Sequence, residues 1–427
     1  MKEAKNSLAE LFPTDANGAV PIVYFWARTV RCETPGCGAE IPLVKSFWLS
    51  KRRGRRQALR YKILRTRSDE TPKIVVELFE PIKDSDVPSP TVNRAKATCP
   101  ACRTVLTPDR VRFQLGLEHG GTNPTFAENG ERVGGARLLA VGVQAPGSGD
   151  REFREASELD YEPLKEASAF LNREAEGLEI GELSPVPHEP VTRVPFPFGV
   201  INLWVYGVSE WGQVFSTRQL ATLSILSTAL ASNEEITRRP VIRDLLCFAL
   251  SIFARSCNAN ARMRPDGSVA PAFGMQALPF TWAYPETVPW GDRSENFMGA
   301  VATICNVIAS GTLNTGGTAS TQQEDAAKSS LPDDSCDVWF SDPPYYDAIP
   351  YSYLSDFFYV WLKRSLGGAY PVLFQSELTP KDNEIVSYTA LHNAGEAPQA
   401  RFERMMGMAF SEGHRVLKED GIASVVF

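Results

Sequence analysis

The chain runs to 427 residues, with 43% hydrophobic content, 22% charged residues and a formal net charge of -7. That composition suits a soluble globular protein of two or three domains, and no internal repeat is apparent. The acidic balance means that any polyanion has to be met by a local basic patch. With no signal peptide and no apolar run of membrane length, the expectation is a cytoplasmic protein with no membrane association.

Residues 2–11 read as the tail of a helix. An apolar run over 21–30 then leads to Cys32 and Cys37, and a second pair, Cys99 and Cys102, follows after an insertion. Two close pairs, each beside Gly or Pro, match a tetrahedral structural zinc site; the alternatives are four unrelated cysteines or two disulfides. Paired cysteines in a chain without secretory features point to metal. A site closed by four thiolates folds the insert and does not catalyse. The other cysteines, Cys247, Cys257, Cys305 and Cys336, sit mostly in apolar segments and read as inert core residues.

Between the cysteine pairs, residues 58–65 and 73–79 alternate as strands of a small antiparallel unit. The turn leading into them carries Lys51, Arg52, Arg53, Arg55 and Arg56. Two readings stand. Either the run is a DNA-binding hairpin that contacts phosphates with salt-dependent, sequence-blind affinity, or it is an ordinary solvated turn.

Residues 116–135 are glycine-rich, with turn signals at Asn123-Pro124 and Asn129-Gly130, and 136–143 read as a strand. A charged amphipathic helix is expected over 150–177, then a proline-rich surface connector over 181–198. Its His188 and the remaining histidines form no ligand spacing. From residue 201 the chain turns helical: Ser216 or Thr217 can cap one apolar helix, and a second is expected over 240–259. Residues 310–334 form a polar loop whose Gly-Thr-Ala-Ser letters lack the lysine of a phosphate cradle.

Residues 336–347 carry the most information. Val338, Trp339 and Phe340 predict a buried parallel strand that ends at Asp342-Pro343-Pro344-Tyr345. Two consecutive prolines stiffen the loop and fix its carbonyls. Such a loop suits a planar ring with an exocyclic amine. Hydrogen bonds from that amine to the Asp342 carboxylate and the Pro343 carbonyl would return density to nitrogen as an electrophile arrives. Tyr345 would stack on the base, an interaction worth roughly 1–3 kcal/mol. The following segment reads as an aromatic helix, capped by Ser352 or Ser355, with Phe357, Phe358 and Trp361 in the core. Tyr346, Asp347 and Tyr351 lie nearer the loop and are expected to border a base pocket.

Taken from Ser341 to Arg364, this block resembles the adenine-specific DNA methylases that carry an inserted zinc ribbon. The cysteine block, the Trp211, Phe215, Arg218 segment and residues 273–282 are similar to the same family. The resemblance implies catalytic residues Asp342, Pro343, Pro344 and Tyr345, and base contacts from Tyr346, Asp347, Tyr351 and Gln276. It also implies zinc on Cys32, Cys37, Cys99 and Cys102, and S-adenosylmethionine as methyl donor. In that family an Asp-Pro-Phe-x-Gly-x-Gly turn precedes the ribbon and holds the donor; no Phe-x-Gly-x-Gly occurs here. The isolated chain is therefore expected to be inactive, as an incomplete enzyme, or to need a separate polypeptide carrying the donor-binding half.

The fold expected is α/β, a partial doubly wound (Rossmann-like) methyltransferase sheet with an inserted zinc ribbon and a helical region. Its expected parts are a residual helix (1–20), the zinc ribbon (21–110), a mixed region with the proline-rich connector (111–200), a helical region (201–310) and the catalytic part (311–427). In that last part, a helix over 402–417, a turn at 419–421 and a strand from 422 follow. The leading function is adenine-specific DNA methylation. The alternatives are another amino-group acceptor (RNA or a glutamine side chain) or a non-catalytic, zinc-stabilised DNA-binding remnant.

Overall fold

The computed structural model describes residues 2–65, 70–147, 151–179, 182–193, 200–274, 276–290, 295–311, 319–346, 349–387 and 396–426. The chain begins with α1 (Lys2–Ala9) and strand β1 (Val20–Ala27). A cysteine-bearing arm follows, made of β2 (Thr29–Arg31), β3 (Glu40–Pro42), β4 (Trp48–Arg52), β5 (Arg55–Leu64), β6 (Lys73–Phe79), β7 (Val92–Asn93), β8 (Lys96–Thr98) and β9 (Val105–Leu106), and helix α2 (Pro108–Leu117). Next come the hairpin of β10 (Pro124–Phe126) and β11 (Arg132–Gly135), then β12 (Arg137–Gln144), β13 (Arg151–Glu155) and α3 (Glu162–Glu176). Helices α4 (Thr217–Ser232), α5 (Glu234–Thr237) and α6 (Pro240–Ala254) precede β14 (Arg262–Met263), β15 (Val269–Ala270), β16 (Ala283–Thr287) and α7 (Phe297–Gly311). The last elements are β17 (Cys336–Ser341), α8 (Tyr351–Leu366), α9 (Pro398–Val416) and β18 (Leu417–Val425).

This is a mixed α/β protein with several small sheets and no closed barrel among the described residues. The largest sheet is antiparallel, in the order β13-β12-β1-β16. Side chains alternate across a strand, and β1 uses both faces. Tyr24 and Trp26 enter the main core with α4, α6 and α8, while Val23 and Phe25 pack on Phe47, Leu49 and Leu59 of the arm. The sheet takes strands from three of the expected regions, 21–110, 111–200 and 201–310. No described helix is long and apolar enough to cross a membrane.

A buried ion pair ties this sheet to the helices. Arg218 on α4 and Glu286 on β16 are both fully enclosed and lie 2.7 Å apart. Trp26 Nε1 and Ser216 Oγ also donate to Glu286, each at 2.7 Å, and the Arg218 guanidinium sits 3.8 Å from the Tyr24 ring centroid. Ser216 caps α4 and completes a capping box with Gln219, as its sequence predicts.

Several expectations need correction. Of the doubly wound sheet, the described residues contain one parallel pair, β17 with β18. Its strand β17 is not buried: Val338 is 61% and Phe340 68% exposed. Parallel strands normally have both faces covered, but only the Trp339 side of β17 meets a helix. There the indole packs edge-on against Phe410 of α9, 5.9 Å between centroids, and Gly413 leaves room for it; a Cβ on Gly413 would lie 2.4 Å from the Trp339 ring. The turn expected at 419–421 is instead a register shift inside a continuous β18, so β-pairing overrides the turn letters. Residues 151–155 form an edge strand on β12 before α3 begins, because sheet pairing competes successfully with the charged helical pattern. Cys305 is exposed on α7 and Cys336 half-buried, whereas Cys247 and Cys257 are enclosed as expected.

Candidate functional site

The cysteine arm folds its two pairs onto one point. The four Sγ atoms of Cys32, Cys37, Cys99 and Cys102 all lie within 4.8 Å of one another, with Cys32 and Cys102 3.5 Å apart and Cys37 and Cys99 3.8 Å apart. A zinc ion bound at about 2.3 Å by four thiolates sets a tetrahedral edge of roughly 3.8 Å, so the donor set fits zinc. None of the four is in a disulfide. The loop that delivers Cys32 and Cys37 turns through Gly36 and Gly38, both at positive φ, and the Cys99–Cys102 loop turns at Arg103, also at positive φ. Cys32, Cys37 and Cys99 are buried, and Val30, Ile41, Ala97, Leu106, Val111 and Leu115 pack around them. Burial pushes the Cys99 thiol up to about 12. At Cys102 burial acts in the same direction, but hydrogen bonding with Thr104 and Thr34 outweighs it and holds the thiol down at about 6. Four thiolates would fill a zinc ion's tetrahedral coordination and leave no open position, so a zinc held here would be structural.

The Asp342-Pro343-Pro344-Tyr345 loop leaves the carboxyl end of β17, the end at which parallel α/β sheets present their ligands. Its residues stand open to solvent: Asp342 and Tyr345 are exposed, and the two prolines half-buried. The loop is anchored by its neighbour Tyr346, whose carbonyl accepts from the Ser387 backbone N–H at 3.1 Å and whose ring meets Phe402 of α9 at 5.0 Å. Tyr346 thus serves the loop's position, leaving Tyr345, 45% exposed, as the ring with a free face. Asp347 lies outside the described residues. An open cleft of about 730 Å³ flanks Pro344, bordered by residues 323–327, 383–385 and α9, with Arg401 and Arg404 on its wall.

Helix α8 starts at Tyr351, which is exposed and is not among the residues lining this cleft. Neither Ser352 nor Ser355 caps it. The N-cap is Pro350, and the orphan backbone N–H of Ser352 is satisfied by the Glu384 carboxylate at 3.0 Å, as is the Ser352 hydroxyl. An anion at a helix start also complements the dipole. One turn on, the enclosed Asp356 binds Lys381 at 2.8 Å and Thr379. These contacts clamp residues 379–384 onto α8 and so shape the wall beside the loop. Glu384 and Lys381 were not legible as site residues, since they sit in a polar stretch without a motif.

The helix face behind the loop is core, as expected. Phe357 and Trp361 are enclosed against Phe215, at 5.5 and 5.4 Å, and Trp211 reaches Phe357 at 6.1 Å. Phe273 packs on Phe357 and Phe358 at 4.9 and 5.1 Å. Gln276 in the same turn is exposed at positive φ, and its backbone N–H bonds to the Phe273 carbonyl. Trp211, Phe215 and Arg218 therefore pack and do not line the cleft.

The basic run occupies the hairpin of β4 and β5, which turns at Arg53-Gly54. Lys51 and Arg56 face each other across it, both pair with Asp84, and both lie over the Trp48 ring at 4.6 and 5.0 Å. Arg52, Arg53 and Arg55 stand out at the exposed tip. No family model, curated protein or solved structure matches the chain.

Proposed function

We propose that the chain is the amine-holding part of an S-adenosylmethionine-dependent methyltransferase that acts on the exocyclic amino group of adenine in DNA. The observation that carries this reading is the open Asp342-Pro343-Pro344-Tyr345 loop at the carboxyl end of a parallel strand, with a cleft alongside. The adenine amine would donate to the Asp342 carboxylate and to the Pro343 carbonyl. Both acceptors draw the nitrogen lone pair out of the ring only as charge develops, so they favour the transition state over the ground state. Pro344 holds the carbonyl in place, and Tyr345 stacks on the extruded base.

Among the described residues no strand runs through a glycine-rich turn into a helix, the cradle that a nucleotide-like donor needs. The chain's own contribution ends at the amine. The bare face of Val338, Phe340 and Ile422 on the parallel pair is where a donor-binding half, as a separate polypeptide, would pack. The cysteine arm, with zinc, would hold the basic hairpin in place as the DNA-facing side.

The test is transfer of labelled methyl groups to adenine-containing duplex DNA, by the chain alone and co-expressed with its neighbouring reading frames. The chain alone should transfer almost nothing, and activity should appear with the complementing half. Asp342→Ala should then abolish transfer while DNA affinity stays within about twofold. Label arriving in RNA or in a protein amide would change the acceptor. An Asp342→Ala chain that matches wild type in every assay would leave only the DNA-binding remnant.

A further inference from the structure

A second pocket, sharing no lining residue with the cleft beside Pro344, lies between the start of β4 and the β14–β15 hairpin. It has a volume of about 230 Å³. That is below the roughly 300–1,000 Å³ of drug-sized sites, so it suits a single ring system. Trp48, Phe280 and Trp282 supply its aromatic lining, and Lys45, Arg262 and Arg264 its cations; no carboxylate lines it. Lys45 and Arg262 are exposed and enter no ion pair among the described residues.

Behind the Phe280 and Thr281 part of the wall, and outside the lining itself, lies a buried charge without a counter-ion among the described residues. Arg28 is 1% exposed, and its guanidinium stacks 4.3 Å from the centroid of Phe280. It donates to the carbonyls of Thr281 (2.8 Å), Gly120 (2.5 Å) and Ala259 (3.1 Å) and to the Thr122 hydroxyl (2.7 Å), all neutral acceptors. It forms no ion pair among the described residues. Buried charges are ordinarily paired, because an isolated one in a low-dielectric interior costs several kcal/mol. The other fully enclosed arginine, Arg218, has Glu286. Burial, opposed in part by the nearby Tyr284, lowers the Arg28 pKa to about 10, the direction expected of a cation without a counter-ion. Phe280 and Thr281, which Arg28 contacts, form part of the pocket wall.

We propose that this pocket is a nucleotide site, which takes one unstacked, phosphorylated nucleoside of a nucleic-acid strand. The base would lie against the Trp48 side of the lining, where stacking is tolerant of sequence. Its phosphate would meet Arg262, Arg264 and Lys45. The basic run continues from Trp48 along the same hairpin; Lys51 and Arg56 share Asp84, and Arg52, Arg53 and Arg55 at the exposed tip offer cations to further phosphates of a strand leaving the pocket. That continuity favours a polyanion over an isolated small anion. The assignment extends the nucleic-acid side of the proposed function and does not rest on the methyl-transfer loop.

The test is calorimetric titration of the zinc-loaded full chain with 5′-dAMP, adenosine and inorganic phosphate, repeated with a short oligo-dA. Wild type should bind 5′-dAMP, with phosphate competing and adenosine at least about tenfold weaker. The exposed double change Arg262→Glu, Arg264→Glu should weaken 5′-dAMP and oligo-dA by about tenfold or more, and Trp48→Phe should retain part of the affinity. Asp342→Ala and Tyr345→Ala report on the other cleft, and the exposed change Lys165→Ala on α3, outside the pocket lining, should leave 5′-dAMP binding unchanged. Equal binding by the double variant overturns the assignment, as does binding lost only with the Asp342 loop, which would place the nucleotide in the other cleft. Absence of 5′-dAMP binding at millimolar concentration overturns it too, whatever the outcome of methyl transfer.

Discussion

Replacing Cys99 with Ser should abolish metal binding and loosen the whole cysteine arm. Cys99 is fully enclosed, its Sγ is 3.8 Å from that of Cys37, and the four-thiol cluster stays within 4.8 Å overall. The Cys37–Cys99 separation matches a tetrahedral zinc–thiolate edge and every other lies within about an ångström of it, so the donor set is arranged to close on the ion. Metal that binds only the folded arm stabilises it by RT ln(1 + [L]/Kd), about 4 kcal/mol at a thousandfold excess over Kd. The arm's apolar cluster is small, so a loss of that size is a large share of its stability. The assay is zinc per chain by atomic emission, with thermal unfolding followed before and after chelation. Wild type should carry about one zinc, and chelation should lower the arm's melting temperature. Cys99→Ser should behave as chelated wild type, and Cys247→Ser, buried away from the cluster, should keep its zinc. Wild type purified without zinc yet melting as the zinc-supplemented chain does would refute the reasoning, as would a Cys99→Ser chain that keeps a full equivalent.

Two further outcomes follow from buried charge. Glu286→Gln leaves Arg218 fully enclosed and without its counter-charge, and breaking such a pair costs about 3–5 kcal/mol; a urea-unfolding change below about 1 kcal/mol would contradict that account. The carboxyl of Asp160 is subject to burial, which raises its pKa, but Arg154 at 2.6 Å and the Ser157 backbone outweigh this and hold it below the usual aspartate value. A depressed native pKa stabilises the fold fully above the unfolded value of about 3.9 and is lost as pH falls through the native one. The stability gap between wild type and Asp160→Asn should therefore be constant at neutral pH and narrow below about pH 4. A gap that widened on acidification would show the opposite linkage.

The sequence by itself determined what depends on local pattern and on residue chemistry. The two cysteine pairs, the alternating strands of the arm, the Ser216 cap and the stiff Asp342 loop are all legible because spacing and side-chain type alone specify them. Phe357 and Trp361 could likewise be assigned to the core from helical spacing. Tertiary structure decided what depends on partners distant in the chain. Strand 151–155 exists because β12 offers it an edge, β18 runs through its turn letters because β17 pairs with it, and α8 is capped by Glu384 from thirty-two residues further on. The uncovered Val338 and Phe340 face of β17 contradicts its apolar letters, because an apolar run predicts a wish for burial but not whether a neighbour is present to satisfy it. The same reason hid the second pocket. Arg28, Trp48, Arg262 and Phe280 are scattered over some 250 residues, and only the packing of β1 and β16 against the arm brings their charge and aromatic surface together.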